Sequence, residues 1–440
     1  MELITFVCLS LAAALPGGEL VTQFRGSAGD GVYPEATGLP TTWSEEANIA
    51  WKTAIPGRGW SSPVVGNGLI WLTTAVEEDA TPEQLANILK TKLAGNPMAK
   101  QMKIVGAISL RAVAIDAATG TVKQNFELFR VPDPEPVHTL NSYASPSPIL
   151  DNGRLYCHFG TFGTTCVDTT TAKILWKTKL PTEHSVGPGS SPVLYENRLI
   201  IPCDGTEAQT VVGLDTENGE IAWSTKRPPM EGSVGDLHKA FSTPLMIRVQ
   251  NRDQAVVVGA QWAVAYEPVT GKELWRFRHG EGFSNVPRPV FAHGLVYICT
   301  GYMQPNLVAI RPDGTGDVTE THVVWRFKKS VPAMPSPVVV DDAIYIVSDQ
   351  GVATCIDCLT GEQRWQRRIE GNYSASPTYA DGKLFLSNRE GTTTVLSPGR
   401  EFAEIGKATL DGAIMASPVA LHGALILRTP THLYRIGADK

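Results

Sequence analysis

A hydroxyl or basic residue followed by proline recurs eight times along this chain, each time just before a β-rich run. The copies are Ser62-Pro63, Ser147-Pro148, Ser191-Pro192, Thr243-Pro244, Arg288-Pro289, Ser336-Pro337, Ser376-Pro377 and Ser417-Pro418. After a first interval of 85 residues, the spacings are 44, 52, 45, 48, 40 and 41 residues. Periods in the forties, with β-branched runs between turn signals, are typical of four-stranded propeller blades. We therefore predict an all-β fold, an eight-bladed β-propeller of four-stranded antiparallel blades.

A second phrase closes the repeats: an acidic residue, glycine four residues later, and tryptophan four residues after that. Asp215, Gly219 and Trp223 form the clearest copy. We expect the acid to accept hydrogen bonds from turn N–H groups and the glycine to supply the positive φ of the loop. The tryptophan should bury its ring between blades, so that truncation to alanine costs about 3–5 kcal/mol. The predicted inter-blade tryptophans are Trp51, Trp176, Trp223, Trp275, Trp325 and Trp365.

The imperfect copies indicate how the ring closes. The first has Gln124 in place of tryptophan, and the second has Ala172 in place of glycine. The last copy ends at the sequence RIGADK, before any fourth strand, whereas Trp51 precedes Pro63 by the twelve residues found elsewhere between strand D and the next proline. We predict that the N-terminal strand completes the last blade, which removes an exposed sheet edge.

The long first interval predicts a helical-hairpin insertion at about residues 81–105, at the same end as the loops that join strand D to the next strand A. Thr81, Pro82 and Gln84 form a capping-box pattern at the start of a helix. Its apolar face is Leu85, Ile88, Leu89 and Leu93, and a second short helix from Asn96-Pro97 would carry Met98, Met102 and Val105. Two interpretations remain open, a packed lid and a partner-binding hairpin.

Composition and the N-terminus favour an exported protein. The net charge of −6 and pI near 5.9 show no basic surface for nucleic acid. Residues 1–18 form a predicted signal peptide, because Leu3–Leu15 is apolar, too short to span a bilayer, and followed by small residues. The segment before this run carries Glu2 and no basic residue, which is not typical of a signal peptide, and the alternative is a buried first strand. No later stretch predicts a transmembrane span. We expect residues 19–440 to form a single propeller domain, monomeric and periplasmic or secreted.

The chain after residue 18 resembles the pyrroloquinoline-quinone (PQQ)-type β-propeller family. The repeats carry the resemblance, together with residues 23–65, QFRGSAGDGVYPEATGLPTTWSEEANIAWKTAIPGRGWSSPVV, which are similar to the opening of secreted bacterial members. The family mixes quinoprotein dehydrogenases with non-enzymatic scaffolds, including the lipoprotein of the outer-membrane barrel-assembly machine. The resemblance therefore implies the fold and leaves the activity open.

The family's functional motifs are only partly matched. Quinoprotein dehydrogenases typically cover PQQ with a disulfide between adjacent cysteines and hold calcium through Glu, Asn and Asp. This chain has no Cys-Cys pair, no match to those ligands and no CxxCH, and it also lacks the lipidated cysteine of the scaffold. We expect a non-catalytic binding or scaffolding propeller for a protein or glycan partner in the cell envelope, with no cofactor. The alternatives are a PQQ- and calcium-dependent alcohol or sugar dehydrogenase and a carbohydrate lyase or hydrolase.

The cysteines and histidines predict no metal site and no catalytic residue. The CIDC sequence at Cys355–Cys358 falls where other copies have a small residue two positions before the turn acid, so Cys355 is interpreted as a small apolar side chain. Cys157 and Cys166 flank a predicted hairpin turn at Thr161-Phe162, and an exported protein could join them in a disulfide. The histidines form no HExxH, and no GxSxG is present.

Propeller geometry places a candidate ligand site at the channel mouth, where the loops between strands D and A enter the ring. The candidate binding residues are Arg58, Trp60, Asn141, Tyr143, His184, His238, Lys239, Asn285, Arg288 and Tyr373. Aromatic and cationic side chains around one rim suit an anionic or sugar-like ligand or a peptide. The alternative for each residue is a role in packing.

Overall fold

A computed structural model describes residues 19–232 and 235–437, so the predicted signal peptide lies outside the described residues. Eight sheets with four antiparallel strands each, two of them extended by a short fifth strand that pairs in parallel, form a ring, which confirms the predicted propeller. The one α-helix in the described ranges has ten residues, too few to cross a bilayer.

The strands of the first half run in the order A to D from the channel outward. Two strands, β1 (Val32–Tyr33) and β2 (Ile49–Ala54), precede the first repeat. Blade 1 contains β3 (Val64–Gly66) and β4 (Leu69–Glu78), then an insertion with α1 (Pro82–Thr91), a 3₁₀ turn (Ala99–Gln101) and β5 (Met102–Lys103), and then β6 (Ala107–Asp116) and β7 (Val122–Pro132). The short strand β8 (Val137–His138) pairs with β5. Blade 2 contains β9 (Ile149–Asp151), β10 (Arg154–His158), β11 (Thr164–Asp168) and β12 (Ile174–Thr178). Blade 3 contains β13 (Val193–Tyr195), β14 (Arg198–Asp204), β15 (Gln209–Asp215) and β16 (Ile221–Lys226).

The second half repeats the same order. Blade 4 contains β17 (Leu245–Val249), β18 (Arg252–Val258), β19 (Trp262–Tyr266) and β20 (Glu273–Arg278). Blade 5 contains β21 (Val290–Ala292), β22 (Leu295–Cys299), β23 (Leu307–Ile310), the short β24 (Gly316–Asp317), which pairs with β20, and β25 (Val323–Phe327). Blade 6 contains β26 (Val338–Val340), β27 (Ala343–Val347), β28 (Val352–Asp357) and β29 (Gln363–Arg368). Blade 7 contains β30 (Thr378–Ala380), β31 (Lys383–Ser387), β32 (Thr392–Ser397) and β33 (Ala403–Thr409). Blade 8 contains β34 (Val419–Leu421), β35 (Ala424–Arg428) and β36 (His432–Ile436), and is completed by β2.

The predicted ring closure is confirmed by the pairing of β2 with β36. The two strands run antiparallel from Ile49 opposite Ile436 to Ala54 opposite His432. The N–H of Gly437 also donates to the carbonyl of Asn48 at 2.9 Å. The N-terminal strand β2 therefore forms the outer strand of the last blade, which has four strands like the other blades.

The repeated hydroxyl-proline pair forms a ring of hydrogen bonds around the channel. In six of the pairs, the backbone N–H of the first residue donates to the side-chain hydroxyl of the equivalent residue one blade further on, at 2.9–3.0 Å. The donor and acceptor pairs are Ser62 to Ser147, Ser147 to Ser191, Ser191 to Thr243, Arg288 to Ser336, Ser336 to Ser376, and Ser376 to Ser417. Proline can follow because strand A is the inner edge of its sheet and needs no further donor there. The dipeptide is therefore architectural.

The tryptophans fasten the outer part of each junction between blades. Trp223 of blade 3 donates its indole N–H to the carbonyl of Pro268 in blade 4 at 3.1 Å. Equivalent bonds run from Trp51 to Ala117, Trp176 to Thr216, Trp325 to Cys358 and Trp365 to Gly399. Trp275 reaches the carbonyl of Pro312 through the Gln254 side chain, and Gln124 makes the bond itself, to Thr169. The Gln124 copy therefore keeps the hydrogen bond without the indole ring.

The repeat glycine has a second role that sequence reasoning missed. Gly219 has the expected positive φ of 75°, but a Cβ at this position would also lie 2.5 Å from the ring of Trp176 in the preceding blade. The tryptophan of one blade therefore packs directly on the glycine of the next. Ala172, which has a φ of 57°, occupies the glycine position in blade 2. The preceding blade has Gln124, and not tryptophan, at the position that packs on this turn. The two departures from the repeat thus occur at the same junction.

The predicted disulfide between Cys157 and Cys166 is wrong. Both cysteines are free and buried, and Cys157 lies opposite Thr165 while Cys166 lies opposite Tyr156. The turn is centred on Thr161, whereas the predicted turn lay between Thr161 and Phe162. Because side chains alternate along a strand, this one-residue shift puts the two thiols on opposite faces of the sheet.

The insertion confirms one predicted helix and corrects the other. The capping box is present, with Gln84 N–H donating to Thr81 Oγ1 at 3.2 Å and Thr81 N–H donating to Gln84 Oε1 at 2.9 Å. The second helix is a single 3₁₀ turn, because Met102 leaves the helical conformation and pairs with His138. Ile88, Leu93 and Met102 form a small core, whereas Leu85 and Leu89 of the predicted apolar face are exposed.

Candidate functional site

The central channel is closed at one end by residues 21–33 of the chain itself, which we call the plug. Val21 exchanges backbone hydrogen bonds with Val65 of blade 1, and the N–H of Leu150 in blade 2 donates to the carbonyl of Thr22. At its other end, the plug continues into β1, which pairs in parallel with β30 of blade 7. The plug contacts these A strands near the turns that join each strand A to its strand B. The plug therefore closes that end of the channel and leaves the opposite, D-to-A loop end available.

Two buried arginines hold the plug. Arg288 donates from Nη1 to the carbonyl of Phe24 at 2.7 Å and from Nε to the carbonyl of Pro244 at 3.0 Å. Arg25 donates to the carbonyls of Asp30 and Pro337 at 2.8 and 2.7 Å. Burial lowers the pKa of Arg288 to about 9 and that of Arg25 to about 10. Arg288, a predicted channel-mouth ligand residue, is thus a structural anchor, which explains why this repeat has arginine in the hydroxyl position.

Six other predicted site residues are buried supports of the D-to-A loops. They are Tyr143, His184, His238, Lys239, Asn285 and Tyr373. The hydroxyls of Tyr143 and Tyr373 donate to the carbonyls of Glu135 and Glu370, both at 2.9 Å, and Asn285 Nδ2 donates to the carbonyl of Gly259 at 3.1 Å. These side chains fix the loops, and two of their buried polar atoms, His184 Nδ1 and Asn285 Oδ1, have no hydrogen-bond partner.

Lys239 links the loops of neighbouring blades, whereas His238 bonds within its own loop. Lys239 Nζ donates to Asp236 Oδ1 at 2.6 Å and to Ser185 Oγ at 2.9 Å. His238 Nε2 lies 3.0 Å from the carbonyl oxygen of Glu231. The Lys239 ammonium is buried and paired with the Asp236 carboxylate. It is therefore not available to an anion.

Arg58, Trp60 and Asn141 are the predicted residues that keep partial exposure. The guanidinium of Arg58 lies 4.8 Å from the Trp60 ring centroid, a cation–π arrangement. Asn141 Nδ2 donates to the carbonyls of Val186 and Pro188 and so bridges two loops. All ten predicted residues lie in the segments between a strand D and the next strand A. A crevice of about 400 Å³ includes His238 and lies beside Glu207 and Lys226 at the rim.

Except for Trp60, sequence reasoning missed the residues that surround the mouth itself. They stand two positions before each hydroxyl-proline residue, and we call them the collar: Trp60, Ser145, Gly189, Phe241, Val286, Met334, Ser374 and Met415. Met334 Sδ lies 3.4 Å from Ser374 Oγ and 3.3 Å from Nη2 of Arg389, so neighbouring collar residues meet across blades. Five of the eight are large and apolar, which makes the mouth suited to apolar contact. The repeat register alone could have located them.

Burial shifts the pKa values of several titratable groups near this end. Burial lowers the pKa of His158 to about 3 and those of His184 and His279 to about 4, so these imidazoles are neutral at pH 7. Burial also raises the pKa of Asp349, whose carboxylate accepts the N–H groups of Ala333 and Met334. Within residues 19–232 and 235–437, no three His, Cys, Asp or Glu side chains are grouped to hold a metal ion.

The CIDC cysteines serve the junctions. Cys355 lies opposite Trp365 in the neighbouring strand, as Gly213 lies opposite Trp223, which agrees with the small-residue interpretation. The carbonyl of Cys358 accepts the indole N–H of Trp325 at 2.9 Å. The two thiols lie in different hydrophobic clusters, and burial raises the pKa of both.

Comparisons with known proteins place the chain among PQQ-like propellers. A family model described as outer membrane protein assembly factor BamB matches residues 110–322 and 316–400. The curated outer membrane protein assembly factor BamB of Burkholderia pseudomallei (strain K96243) is 36% identical over 95 residues, which are 21% of this chain and 24% of the relative. The match thus spans about a quarter of that relative's length.

Two solved structures show a similar fold. BamB from Moraxella catarrhalis superimposes with a TM-score of 0.53 at 14% identity, covering 76% of this chain and 99% of that chain. Quinohemoprotein alcohol dehydrogenase from Comamonas testosteroni superimposes with a TM-score of 0.64 at 12% identity, covering 96% of this chain and 81% of that chain. At such identities, the likeness is one of fold and leaves function to the site.

Proposed function

Since the chain belongs to the family of PQQ-like propellers described as outer membrane protein assembly factor BamB, we propose that it is a periplasmic scaffold for assembly of outer-membrane proteins. In this role, it acts as a monomer and binds a protein partner, rather than a glycan, through its D-to-A loop end. The observation that carries the proposal is the plug, because a channel closed by the chain's own residues leaves the loops as the binding surface. Four apolar collar residues, Trp60, Val286, Met334 and Met415, are partly exposed, which supports contact with a protein at that end.

The second candidate, a quinoprotein dehydrogenase, is favoured only by the likeness of fold. PQQ is a planar tricarboxylate, and a site for it in the channel needs an open cavity. In this chain, the guanidinium groups of Arg25 and Arg288 already bind plug and strand carbonyls, and Gly29 of the plug lies directly against Arg288. These residues do not fit the cofactor. We therefore propose that the protein functions without one.

The test is genetic and biochemical. Deleting the gene is expected to lower the amount of folded β-barrel proteins in the outer membrane, and the full-length protein should restore it. An epitope-tagged full-length protein is expected to co-purify with the barrel-assembly machinery after cross-linking in cells. Unchanged barrel-protein levels, together with dye reduction by purified protein on addition of PQQ, calcium and an alcohol, would replace the scaffold with the dehydrogenase.

A further inference from the structure

The insertion in blade 1 presents an apolar and basic ridge, which we define as Leu85, Leu89 and Lys90 of α1 with Lys100 of the following 3₁₀ turn. Resting on the proposed scaffold function, we propose that this ridge docks an acidic amphipathic segment of a protein partner. The segment would place apolar side chains on the two leucines and carboxylates on the lysines. The ridge lies outside the family match, which begins at residue 110.

The ridge is held rigidly. The capping box fixes the start of α1, and Gln84 Nε2 also donates to Asp133 Oδ1 at 2.5 Å in the loop after β7. At the other end of α1, Lys92 Nζ lies 2.7 Å from Glu135 Oε1. The short pairing of β5 with β8 ties the rest of the insertion to the same loop. A preorganised surface loses less conformational entropy when a partner binds.

The two leucines form an unpartnered apolar face. Leu85 and Leu89 are four residues apart on one side of the helix and are 42% and 46% exposed, whereas Ile88 is 3% exposed. Leu140, 38% exposed, lies on the adjoining loop, where the N–H of Thr139 bonds the carbonyl of Gln101 in the insertion. Single exposed leucines are ordinary, but grouped ones on a fixed element mark an interaction surface.

Charge selects an acidic partner. Residues 81–106 contain four lysines and one acid, Glu83, and two of the lysines are paired with carboxylates outside the segment, Lys92 with Glu135 and Lys103 with Glu77. Among the described residues, Lys90 and Lys100 have no carboxylate within ion-pair distance. Such complementarity steers association and sets specificity. An anionic lipid surface is the less favoured occupant, because the chain as a whole is negative and two leucines bury little area in a bilayer.

The first experiment measures binding of synthetic probes to the full-length protein by fluorescence anisotropy. Two amphipathic helical peptides share one leucine stripe, flanked by glutamates in one and by lysines in the other. We expect saturable binding of the glutamate peptide, weakened by salt, and none of the lysine peptide. Leu85→Ser/Leu89→Ser and Lys90→Glu/Lys100→Glu should each lower its affinity at least about tenfold. The matched controls Ile221→Ser and Lys272→Glu, exposed residues in blades 3 and 4, should leave the affinity unchanged.

Three results would overturn the proposal. Equal binding of the glutamate peptide to the ridge and control variants would remove the ridge as the site, and so would its failure to bind at all. Leucine-dependent binding to phosphatidylethanolamine–phosphatidylglycerol vesicles, without peptide binding, would make the occupant a lipid surface. Circular dichroism and thermal melts confirm that each variant is folded before binding is scored.

The second experiment separates this proposal from the proposed function. Ridge variants are returned to the deletion strain, with a photo-cross-linking residue at position 89 in parallel. We expect reduced barrel-protein levels, and a cross-linked partner peptide that is acidic and is lost in Lys90→Glu/Lys100→Glu. If ridge variants restore barrel proteins as fully as the wild type, the ridge proposal fails and the scaffold stands. If deletion of the gene has no effect on barrel proteins, the scaffold fails, whatever the ridge binds.

Discussion

The junction between blades 3 and 4 and the junction between blades 7 and 8 perform the same task with different parts of the chain. At the first, Trp223 packs on Gly271 and donates to the carbonyl of Pro268. At the second, Gly406 occupies the tryptophan position, and the backbone of Thr41 lies against it. The repeat therefore builds the first junction, whereas the nonrepeating N-terminal segment builds the second.

The closing junction has its own core and hydrogen bonds. Tyr33, Ala36, Leu39 and Trp43 are buried there with residues of blades 7 and 8. Glu45 accepts hydrogen bonds from the Tyr434 hydroxyl and the Asp411 N–H. Neighbouring repeats are thus joined by a buried tryptophan ring and its indole hydrogen bond. The junction between blades 7 and 8 is joined instead by the longer N-terminal segment, which packs between the two blades.

The largest effect should come from removing that segment. Deleting residues 19–43, which precede β2, exposes the apolar side chains of the closing core, so we expect a loss of about 5 kcal/mol or more of unfolding free energy. Urea denaturation measures it. A matched control deletes the insertion by joining Glu78 to Ala107, which are paired neighbours in β4 and β6, through a short turn. The control should lose far less, because the insertion has a separate small core. Equal losses would contradict the importance of the closing junction.

A double-mutant cycle tests the repeat-built junction. Trp223→Ala should cost about 3–5 kcal/mol of unfolding free energy, as for other buried aromatic rings. Gly271→Ala should cost about 1–3 kcal/mol, because its Cβ would overlap the Trp223 ring and its φ is 71°. In a Trp223→Gln background, the cost of Gly271→Ala should fall by about 1 kcal/mol or more, as the natural pairing of Gln124 with Ala172 indicates.

The control for this cycle is Gly294→Ala. Gly294 has a φ of 74°, and no atom lies within 4 Å of the point that an alanine Cβ would occupy, so this substitution reports the backbone strain alone. An unchanged cost of Gly271→Ala in the Trp223→Gln background would show that tryptophan does not impose the glycine.

The difference between the junctions also explains what the sequence could predict. Blade number, ring closure by β2 and the inter-blade tryptophans follow from a repeated pattern, in which each copy confirms the next. The plug and the closing core occur once, and their contacts join residues hundreds of positions apart, such as Arg25 with Pro337, so no local period reveals them. The Cys157–Cys166 prediction failed because a pattern does not determine a hairpin register to one residue. Most predicted mouth residues were loop supports, since loop position alone does not show which way a side chain points.

As the pH falls, the blades joined by the repeat should lose stability before the junction between blades 7 and 8 does. His279, at the end of β20, is buried, its Nε2 lies 3.0 Å from the carbonyl of Gly259, and burial lowers its pKa to about 4. Because the folded pKa lies below the unfolded value near 6.5, the unfolded state binds more protons between these values, and stability falls as pH drops from 6.5 towards 4. We expect His279→Gln to remove about 2 kcal/mol of the stability change between pH 7 and pH 5.

The closing junction supplies the control for this prediction. Lys52, Tyr434 and the Asp411 N–H bind Glu45 and hold its pKa below the ordinary value despite burial, so its contribution persists until pH falls below the ordinary carboxyl range. Glu45→Gln should therefore lower stability by a similar amount at pH 7 and pH 5. Hydrogen exchange at the two pH values should show loss of protection around blade 4 and not at β2. The reverse pattern would contradict the assignment.

The smallest effect should come from the intermediate junction, between blades 1 and 2, where Gln124 faces the turn that contains Ala172. Alanine at a φ of 57° is strained, and no tryptophan ring lies there to require glycine. Ala172→Gly should therefore stabilise the fold by only about 0.5 kcal/mol, since relief of strain is partly offset by the greater freedom of glycine in the unfolded chain. Gln124→Trp should be tolerated better in that background than alone, because the Cβ that would meet the indole is gone. If Ala172→Gly destabilises the protein in urea, the alanine Cβ contributes packing against Gln124, and this junction is a third way to join blades.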